Sequence, residues 1–450
     1  MQLMLAPVAS TKTNHADPLS NLRNKVCFFI PVLTSDGSDY SNIFTIIFGF
    51  ARRRGDGILT CDNATAMSTA ASPISPANPH VQQLVATIGN RFAVQGEFVL
   101  GEQIDSGHIN STYRATYRQS NGSCQRYILQ AINRNVFKDP YALMNNVERV
   151  TRHINSRVLR LKQNLGGQTL NLFPARTGHS WIEDEHGSVW RCYNHIEGCV
   201  TYDIVENTRQ AYQAAHAFGA FQDLVSDLAA DSITETIPDF HHTPKRFARL
   251  LEVAAADPLG RLAAVRAEFD FIHSRENLTG SLLDLVATGD IPRRITHNDT
   301  KINNVMIDAT TDEAVCVIDL DTVMPGLVLY DFGDLVRTAT SPAAEDETDL
   351  SKVAMRMPMF EALVEGYLNA ARTFINDTEV AFLTHAGKLM SLEVGIRFLT
   401  DHLEGDVYFK THRPGHNLDR CRTQLQLVAS IEKQEAAMNT FVHQAARRAK

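Results

Sequence analysis

The chain has 450 residues, of which 44% are hydrophobic and 21% are charged. That composition is typical of a globular protein, and the length suffices for two domains or for two lobes around a cleft. There are 43 lysine and arginine residues against 51 aspartate and glutamate residues, a formal net charge of −8. Because a nucleic acid or an anionic membrane calls for a basic surface, this balance argues against both and favours a compact small-molecule ligand.

Cysteine usage and the apolar runs indicate the compartment. The seven cysteines contain no C-x-x-C pair, so the sequence predicts neither a zinc site nor a redox pair. The apolar runs Val26 to Leu33 and Ile43 to Phe50 are far shorter than the roughly 20 residues that span a bilayer. The basic n-region, apolar core and small-residue cleavage site that make up a signal peptide do not occur in that order, so a signal peptide is not expected. We therefore expect a cytoplasmic protein with no membrane partner.

Residues 1–80 show no sustained hydrophobic period, and from Met67 onward they are rich in Ser, Ala and Pro. This composition predicts a disordered extension. Two interpretations stay open for residues 1–66: a real tail, or an over-called gene start. We predict an amino-terminal nucleotide-binding lobe at 81–196 and a carboxy-terminal catalytic and substrate-binding lobe at 197–450.

A small polar turn lies between two predicted strands early in the first lobe. The chain alternates like a strand from Phe92 to Ile104 and again from Thr112 to Tyr117. A strand, a small-residue turn and a second strand can cover phosphate groups with backbone N–H donors. The turn, Asp105 to Asn110, has only one glycine, Gly107, so an ordinary hairpin is the alternative interpretation.

The remainder of the first lobe is predicted from its hydrophobic periods. A third strand is expected from Tyr127 to Ile132, and an amphipathic helix from Pro140 to Ile154. Further strands are expected at 169–193. The segment from Tyr193 to Glu197 would then cross from one lobe to the other.

Beyond the crossover the pattern is helical. One apolar stripe runs from Thr208 to Leu228. Asp257, followed by proline, predicts the start of another helix with Asp as its N-cap. A later helix is expected from about Glu379 to Leu403, where Arg397 lies four residues before Asp401, the spacing of an intrahelical ion pair.

The most informative stretch runs from Arg294 to Asp334. It contains His297-x-Asp299, then Asn304 five residues later, and Asp319 after the next apolar run. Phosphoryl transfer from ATP requires a carboxylate that orients the attacking hydroxyl and accepts its proton, and oxygen ligands that hold Mg²⁺ on the phosphates. Asp299 is the candidate base, and Asn304 and Asp319 are the candidate magnesium ligands.

The tripeptide Asp331-Phe332-Gly333 has the form of a second magnesium motif. The sequence before Asp319 has the form of a two-strand hairpin that would join the base-bearing loop to Asp319, whereas Asp331 lies a further loop downstream. We therefore predict that Asp331 is an N-cap or a carboxylate that fixes a loop. His297 is expected to brace the loop through hydrogen bonds, and Asp321 to fix the strand end or accept from metal-bound water.

This stretch resembles the aminoglycoside phosphotransferase family of small-molecule kinases, whose pattern is H-x-D-x-x-x-x-N followed by an I-D strand. The match is closer to one branch, the N-acetylhexosamine 1-kinases, which carry HNDTK-x-NNVM and IDLDTVMPG-x-x-x-YDFGD almost letter for letter. The resemblance implies an α+β, two-lobed, protein-kinase-like fold with a small β-rich amino-terminal lobe and a larger helical carboxy-terminal lobe. It also implies ATP and Mg²⁺ as cofactors and phosphorylation of a sugar at its anomeric hydroxyl.

The resemblance carries roles onto individual residues. Those expected to contact the sugar are His108, Asp299, Arg397 and Tyr408. Those expected to contact the nucleotide are Ser106, Gly107 and Gln130. Tyr193 and His195 are added because they lie in the predicted crossover, where adenine normally packs, and no side-chain signature supports them.

One position, on the third strand, departs from the family pattern, and another, Arg397, has an alternative interpretation. Related kinases carry Lys or Arg on the third strand, where this chain has Gln130. Either Arg134 or Lys138 would supply that charge, or magnesium and backbone groups would hold the phosphates; Glu148 matches the usual partner of the absent lysine. The alternative for the later helix is an Arg397 ion pair with Asp401.

Three other functions compete with a sugar kinase. A kinase of another small alcohol, such as an aminoglycoside, choline or homoserine, is the first. A non-catalytic pseudokinase is the second, and the intact Asp299, Asn304 and Asp319 argue against it. A sulfated-glycan hydrolase is the third, but no cysteine lies in the C-x-P-x-R setting that a sulfatase needs.

Overall fold

The computed structural model describes residues 78–104, 109–161 and 169–449, which lie within one compact unit from Ile58 to Lys450. The extension predicted at 1–80 falls almost entirely outside the described residues. The same is true of three predicted site residues: Ser106, Gly107 and His108. None of the helices in the three described segments is long and apolar enough to cross a membrane.

The amino-terminal lobe contains α1 (Pro79–Gly89), β1 (Glu97–Ile104), β2 (Ser111–Arg118), β3 (Cys124–Ala131), α2 (Pro140–Leu161), β4 (Ile182–Glu183) and β5 (Val189–Asn194). The strands form one antiparallel sheet in the order β1-β2-β3-β5-β4. The alternation of β2 buries Tyr113, Ala115 and Tyr117 on one face, where Val85 and Ile88 of α1 join them.

The carboxy-terminal lobe begins with a strand after the crossover. Its strands are β6 (Cys199–Val200), β7 (Arg294–Thr296), β8 (Val305–Asp308), β9 (Ala314–Val317) and β10 (Met324–Gly326). β8 and β9 form the predicted antiparallel hairpin, and β6 pairs with β8. As a result, the start of β8 and the end of β9 meet: the N–H of Ile318 donates to the carbonyl of Asn304 at 2.9 Å.

Helices make up most of this lobe. They are α3 (Thr208–Val225), α4 (Thr243–Ala256), α5 (Arg266–His273), α6 (Glu276–Thr279), α7 (Ser281–Thr288), α8 (Val328–Ala339), α9 (Met357–Ala371), α10 (Asp377–Ala381), α11 (Leu383–Glu404) and α12 (His416–Ala449). α3 packs against α9, and α11 packs against both α8 and α12. The predicted α+β fold, with a β-rich lobe followed by a helical one, is confirmed.

α8 and α11 approach each other closely because glycine lies at their contact. A Cβ at Gly333 of α8 would collide with the carbonyl oxygen of Ala386 and with the Met390 side chain on α11. A Cβ at Gly387 of α11 would similarly collide with Val336 of α8. The glycine of the Asp331-Phe332-Gly333 tripeptide is therefore a helix-packing residue.

Asp257 does not begin a helix, and that prediction was wrong. It ends α4 in the left-handed conformation, with φ of 36°. Its Oδ1 accepts the N–H groups of Arg261 and Leu262 at 2.8 and 3.1 Å. A short polar side chain that accepts hydrogen bonds from nearby backbone N–H groups occurs at helix ends as well as at helix starts. The Asp-Pro pair therefore did not distinguish the two ends.

Two other expectations need correction. The helix predicted from Glu379 to Leu403 is divided at Phe382 into α10 and α11, and a capping box between Asn376 and Glu379 starts α10. Of the strands expected at 169–193, the described residues before Trp181 make only isolated bridges, such as that between Leu172 and Tyr193.

Gly333→Ala should lower the free energy of unfolding by about 1–3 kcal/mol, because the added methyl group forces α8 and α11 apart. Urea unfolding followed by circular dichroism measures this. Gly280→Ala is the matched control, since a Cβ there meets no atom closer than 3.7 Å; its effect should stay within about 0.5 kcal/mol. Equal stability of the two variants would contradict the packing role of Gly333.

Candidate active site

The loop between β7 and β8 is held on one side by a buried carboxylate of α8. Asp331 accepts the N–H groups of His297 at 2.9 Å and Asn298 at 2.7 Å, and the amide of Gln222 at 2.6 Å. Burial raises the pKa of Asp331, and these donors favour its ionised form. Asp331 is the fourth residue of α8 and not its N-cap. Of the two predicted roles, the loop-fixing carboxylate is confirmed.

A second carboxylate, one turn further along α8, extends this clamp. Asp334 accepts the N–H of Thr300 at 3.1 Å, and Arg337 donates to its other oxygen at 2.8 Å. Since Asp299 lies between Asn298 and Thr300, α8 fixes the backbone on both sides of the candidate base.

The other side of the loop is held through its carbonyl groups. Thr322 donates to the carbonyl of His297 at 2.7 Å, and a ring nitrogen of His241 lies 3.0 Å from the carbonyl of Asn298. The buried ring of His297 bonds the carbonyl of Ile318 at 2.9 Å. His297 therefore braces the loop against the end of β9.

The charged groups of this loop are the ones that reach solvent. The side chains of Asp299 and Lys301 are 28% and 43% exposed, and their Oδ1 and Nζ atoms are 2.9 Å apart. Burial opposes the charge of Asp299, but the ammonium of Lys301 outweighs it and holds the pKa of Asp299 below its usual range. The sequence pattern did not single out Lys301, although its position two residues after the candidate base was visible.

Asn304 and Asp319 lie beside Asp299. The amide nitrogen of Asn304 donates to the carbonyl of Asp299 at 2.9 Å and to its Oδ2 at 3.3 Å, so the amide oxygen faces elsewhere. Asp319 has a φ of 59°, and the residue as a whole is exposed. The protein around its carboxylate nevertheless removes much of the water from that group. This desolvation, followed by the nearby carboxylates of Asp321 and Asp299, raises the pKa of Asp319 to about 6.

This donor set fits a divalent cation. Carboxylates that lie close together repel each other when both are ionised. Where solvent can still reach them, a bound cation stabilises their ionised forms. Within the described residues, no three His, Cys, Asp or Glu side chains are grouped as a self-sufficient metal site. The chain thus offers oxygen atoms of Asn304 and Asp319, and a bound ligand would have to complete the coordination.

The fully buried guanidinium of Arg191 joins the two lobes. It bonds Asp321 through Nη1, and it donates to Oε1 of Gln130 through Nε and Nη2 at 3.0 and 2.8 Å. The other oxygen of Asp321 accepts from Asn110 at 2.6 Å. Because β3 pairs Gln130 with Arg191, a positive charge stands one strand away from the expected third-strand position, close to Asp319.

The sequence gives no sign of Arg191, because its position follows only from the pairing of β3 with β5. Of the residues that the pattern offered instead, Arg134 donates to a carbonyl of the β4–β5 turn at 2.7 Å, and Lys138 is exposed. Glu148 pairs with Arg152 on its own helix. None of these three contacts Arg191 or its partners.

The crossover between the lobes already uses some of its backbone groups. The N–H groups of Asn194 and His195 donate to the carbonyls of Asn171 and Arg126, each at 3.2 Å. The ring of Tyr193 is buried in the core. The N–H groups of Asn194 and His195 are therefore already used within the chain.

Arg397 lies against three aromatic rings. Its guanidinium carbon is 5.7, 6.0 and 5.4 Å from the ring centroids of Phe240, Tyr408 and Phe409. Asp401 instead accepts the N–H groups of residues 407–409 at 2.7–3.0 Å and shapes the loop that carries Tyr408. Among the described residues no carboxylate forms an ion pair with Arg397, so the alternative pairing with Asp401 was wrong.

The family of the chain follows from comparison with known proteins. Residues 101–373, more than half of the chain, match the APH family, described as "Phosphotransferase enzyme family". The chain belongs to this family. The protein is therefore a phosphotransferase, and its two-lobed fold is the setting expected for one.

Two solved structures have a similar fold. A microcompartment-associated aminopropanol kinase matches with a TM-score of 0.51 at 15% identity, over 80% of this chain and 99% of that one. An aminoglycoside phosphotransferase from Alicyclobacillus acidocaldarius matches with a TM-score of 0.53 at 12% identity, over 85% and 99%. At these identities the similarity concerns the fold alone.

Asp331→Asn should lower the free energy of unfolding by about 2–4 kcal/mol. An NH₂ group would replace one of the two carboxylate oxygens that accept the buried N–H groups of His297 and Asn298, so one of these N–H groups would lose its acceptor. Urea unfolding measures this change. Asp308→Asn is the control, because Asp308 caps an exposed turn and the amide keeps an acceptor for its N–H groups. Unchanged stability of Asp331→Asn together with lost metal dependence of the reaction would make Asp331 a metal ligand instead.

Proposed function

We propose that this phosphotransferase moves the γ-phosphoryl group of ATP to the anomeric hydroxyl of an N-acetylhexosamine, either N-acetylglucosamine or N-acetylgalactosamine. The observation that carries the proposal is the loop 296–304, whose backbone is clamped on both sides while Asp299 and Lys301 reach solvent. A fixed carboxylate beside a fixed ammonium, next to oxygen atoms of Asn304 and Asp319, is the set of groups that phosphoryl transfer to an alcohol needs.

Asp299 would accept the proton of the sugar hydroxyl. Its lowered pKa keeps it ionised at neutral pH, so it can orient the hydroxyl by accepting its hydrogen bond. As the bond from the hydroxyl oxygen to the γ-phosphorus forms, the bond from that phosphorus to the bridging oxygen of ADP breaks, and the proton passes to Asp299. An anomeric hydroxyl is more acidic than an ordinary alcohol, so a weakly basic carboxylate suffices, and positioning supplies most of the rate.

Asn304 and Asp319 would hold Mg²⁺, which when bound neutralises charge on the phosphate oxygens. The raised pKa of Asp319 gives a physical reason, since a nearby cation favours the ionised carboxylate. Lys301 would add positive charge at the same end of the loop. Asp321, bonded to Arg191 and Asn110, would support the strand end.

Arg191 is our candidate for the role that a third-strand lysine has in related kinases. Its charge lies across the strand pair from Gln130, near Asp319. Gln130 would then act by orienting Arg191, because its amide oxygen accepts both Nε and Nη2 of that guanidinium. Direct contact between Gln130 and the nucleotide is the weaker proposal.

The rest of the nucleotide would lie between the small-residue turn and the crossover. Ser106 and Gly107 would cover the phosphates, as the family resemblance implies. Adenine would pack at the crossover from Tyr193 to Glu197, where the chain itself already uses the N–H groups of Asn194 and His195. Tyr193 would support the crossover from the core.

Arg397 and Tyr408, with His108, would bind the sugar near its N-acetyl group. Among the described residues the guanidinium of Arg397 packs against three rings and has no hydrogen-bond or ion-pair partner, so an amide carbonyl would give it an acceptor. The exposed ring of Tyr408 offers an apolar face at the rim. A cationic alcohol such as choline would bring like charge toward Arg397, which makes it the weaker candidate.

Asp299→Asn should reduce sugar-dependent ADP release by about 10²- to 10⁴-fold, because the amide cannot accept the proton. The partly exposed side chain should leave the unfolding midpoint unchanged. A coupled ADP assay with a panel of N-acetylhexosamines, choline, homoserine and an aminoglycoside measures activity, and phosphorus NMR identifies the product. Activity of the wild type with another alcohol alone would replace the sugar proposal, and activity with none would indicate a pseudokinase.

Arg397→Ala should raise the KM for the N-acetylated sugar about 10- to 100-fold and change the KM for ATP no more than about twofold, because a charged hydrogen bond to the sugar is lost. Steady-state kinetics with each substrate varied in turn measures both constants. Arg249→Ala is the control, since Arg249 is exposed and paired with Glu404. Equal effects of Arg397→Ala on both KM values would remove Arg397 from the sugar pocket.

A further inference from the structure

His241 lies between a buried glutamate and the loop that carries Asp299. Its Nδ1 is 2.8 Å from Oε1 of Glu393 on α11, and its Nε2 is 3.0 Å from the carbonyl oxygen of Asn298. Only 7% of the His241 side chain is exposed, and none of Glu393. Thr243 donates to the second oxygen of Glu393. These contacts form a continuous link from α11 to the residue before Asp299.

Both partners of the imidazole are hydrogen-bond acceptors. A carbonyl oxygen has no proton to give, so Nε2 must carry one, and an ionised Glu393 requires a second proton on Nδ1. The ring in this arrangement is an imidazolium. Burial opposes that charge, but Glu393 and the carbonyl of Asn298 outweigh it and raise the pKa of His241. Against burial, His241 in turn lowers the pKa of Glu393.

Other charged and titratable groups lie around His241 and its partner Glu393. Asp334 of α8 attracts the imidazolium. Arg397, one turn further along α11, favours the ionised form of Glu393. The ring of Tyr330 on α8 packs 5.2 Å from the imidazole, and burial raises the pKa of Tyr330, so this group stays neutral.

The same helix serves both the loop and the sugar pocket. Glu393 and Arg397 are four residues apart, so they lie on one face of α11. Arg397 contacts the ring of Phe240, which directly precedes His241. We propose that His241 is a positioning residue: as an imidazolium it holds the loop carbonyl before Asp299, and it ties the setting of that base to the sugar-binding end of α11. This inference rests on the proposed phosphoryl transfer.

The proposal has a consequence for pH dependence. If the ring loses one proton, the remaining proton stays on Nδ1, because that nitrogen faces the ionised carboxylate of Glu393. Nε2 then presents a lone pair to the carbonyl of Asn298, and the hold on the loop is lost. Because Glu393 raises the pKa of His241, the hold is present below that pKa and disappears as pH rises through it. Turnover should therefore fall on the alkaline side.

The test is the pH profile of kcat for the wild type, Glu393→Gln and His241→Gln, with ATP and N-acetylglucosamine saturating. Glu393→Gln removes the charge that stabilises the imidazolium and should move the alkaline limb to lower pH by about one to two units. His241→Gln can still donate to the carbonyl but cannot ionise. It should lower kcat about 10- to 100-fold, leave the KM for ATP within about twofold, and abolish the limb.

His242→Gln is the matched control. His242 is the next residue, and its ring accepts the N–H of Lys245 at 3.3 Å at the start of α4. Its profile should keep the wild-type limb. A limb that stays at the same pH in Glu393→Gln, or that persists in His241→Gln, would overturn the proposal.

Nitrogen-15 NMR of histidine-labelled protein reads the protonation without any turnover. The His241 signals, assigned by their loss in His241→Gln, should show both ring nitrogens protonated at about pH 7.5. A neutral tautomer there would overturn the inference even if the sugar is phosphorylated. An imidazolium in a protein that phosphorylates no alcohol would count against the proposed function alone.

Discussion

Two successive backbone N–H groups, those of His297 and Asn298, converge on the carboxylate of Asp331, and the rest of the site depends on this contact. Asn298 has a φ of 65°, a conformation that costs a non-glycine residue of order 1–3 kcal/mol unless its surroundings fix it. Its side chain helps to do so, because it accepts from Thr296 at 2.9 Å and donates to the carbonyl of Thr322 at 2.9 Å. The strained residue thus turns the chain so that Asp299, the next residue, points out of a buried loop.

The residues that hold this loop are themselves held by two helices that pack against each other, α8 and α11. Asp331 and Asp334 belong to α8, whereas His241 is held by Glu393 of α11. α8 and α11 are fixed to each other where Gly333 lets the two backbones approach. Because both sides of the loop are held by helices that are themselves in contact, a shift of one helix would move both sides together. This is the preorganisation that Asp299 would need in the proposed role of base, because its carboxylate would have to meet a hydroxyl within hydrogen-bonding distance.

The sequence predicted which residues lie together where they are close along the chain, and it missed those that come together only through strand pairing or helix packing. Asp299, Asn304 and Asp319 follow from spacing along one hairpin, and the structure brings these three together. Arg191 and His241 also hold the site in place, but the sequence did not reveal them. Arg191 meets Gln130 only through the β3–β5 register, and His241 meets Glu393 only through the packing of α11. Asp257 was assigned to the wrong end of a helix because one side chain suits both ends. The fold class could be predicted because hydrophobic period and motif agreed.

The buried ion pairs of this chain have a better physical account as orienting devices than as sources of stability. Removing two charges from water costs several kcal/mol per ion, and a well-packed apolar pair of similar size is often as stable. Arg191 with Asp321 and His241 with Glu393 nevertheless occupy the two ends of the site. The first pair fixes the strand end beside Asp319, and the second fixes the carbonyl before Asp299. In a chain with a net charge of −8, each pair also brings a cation close to carboxylates that would otherwise repel the phosphates. The cost of burying these charges is therefore offset at the place where the proposed reaction needs both fixed geometry and positive charge.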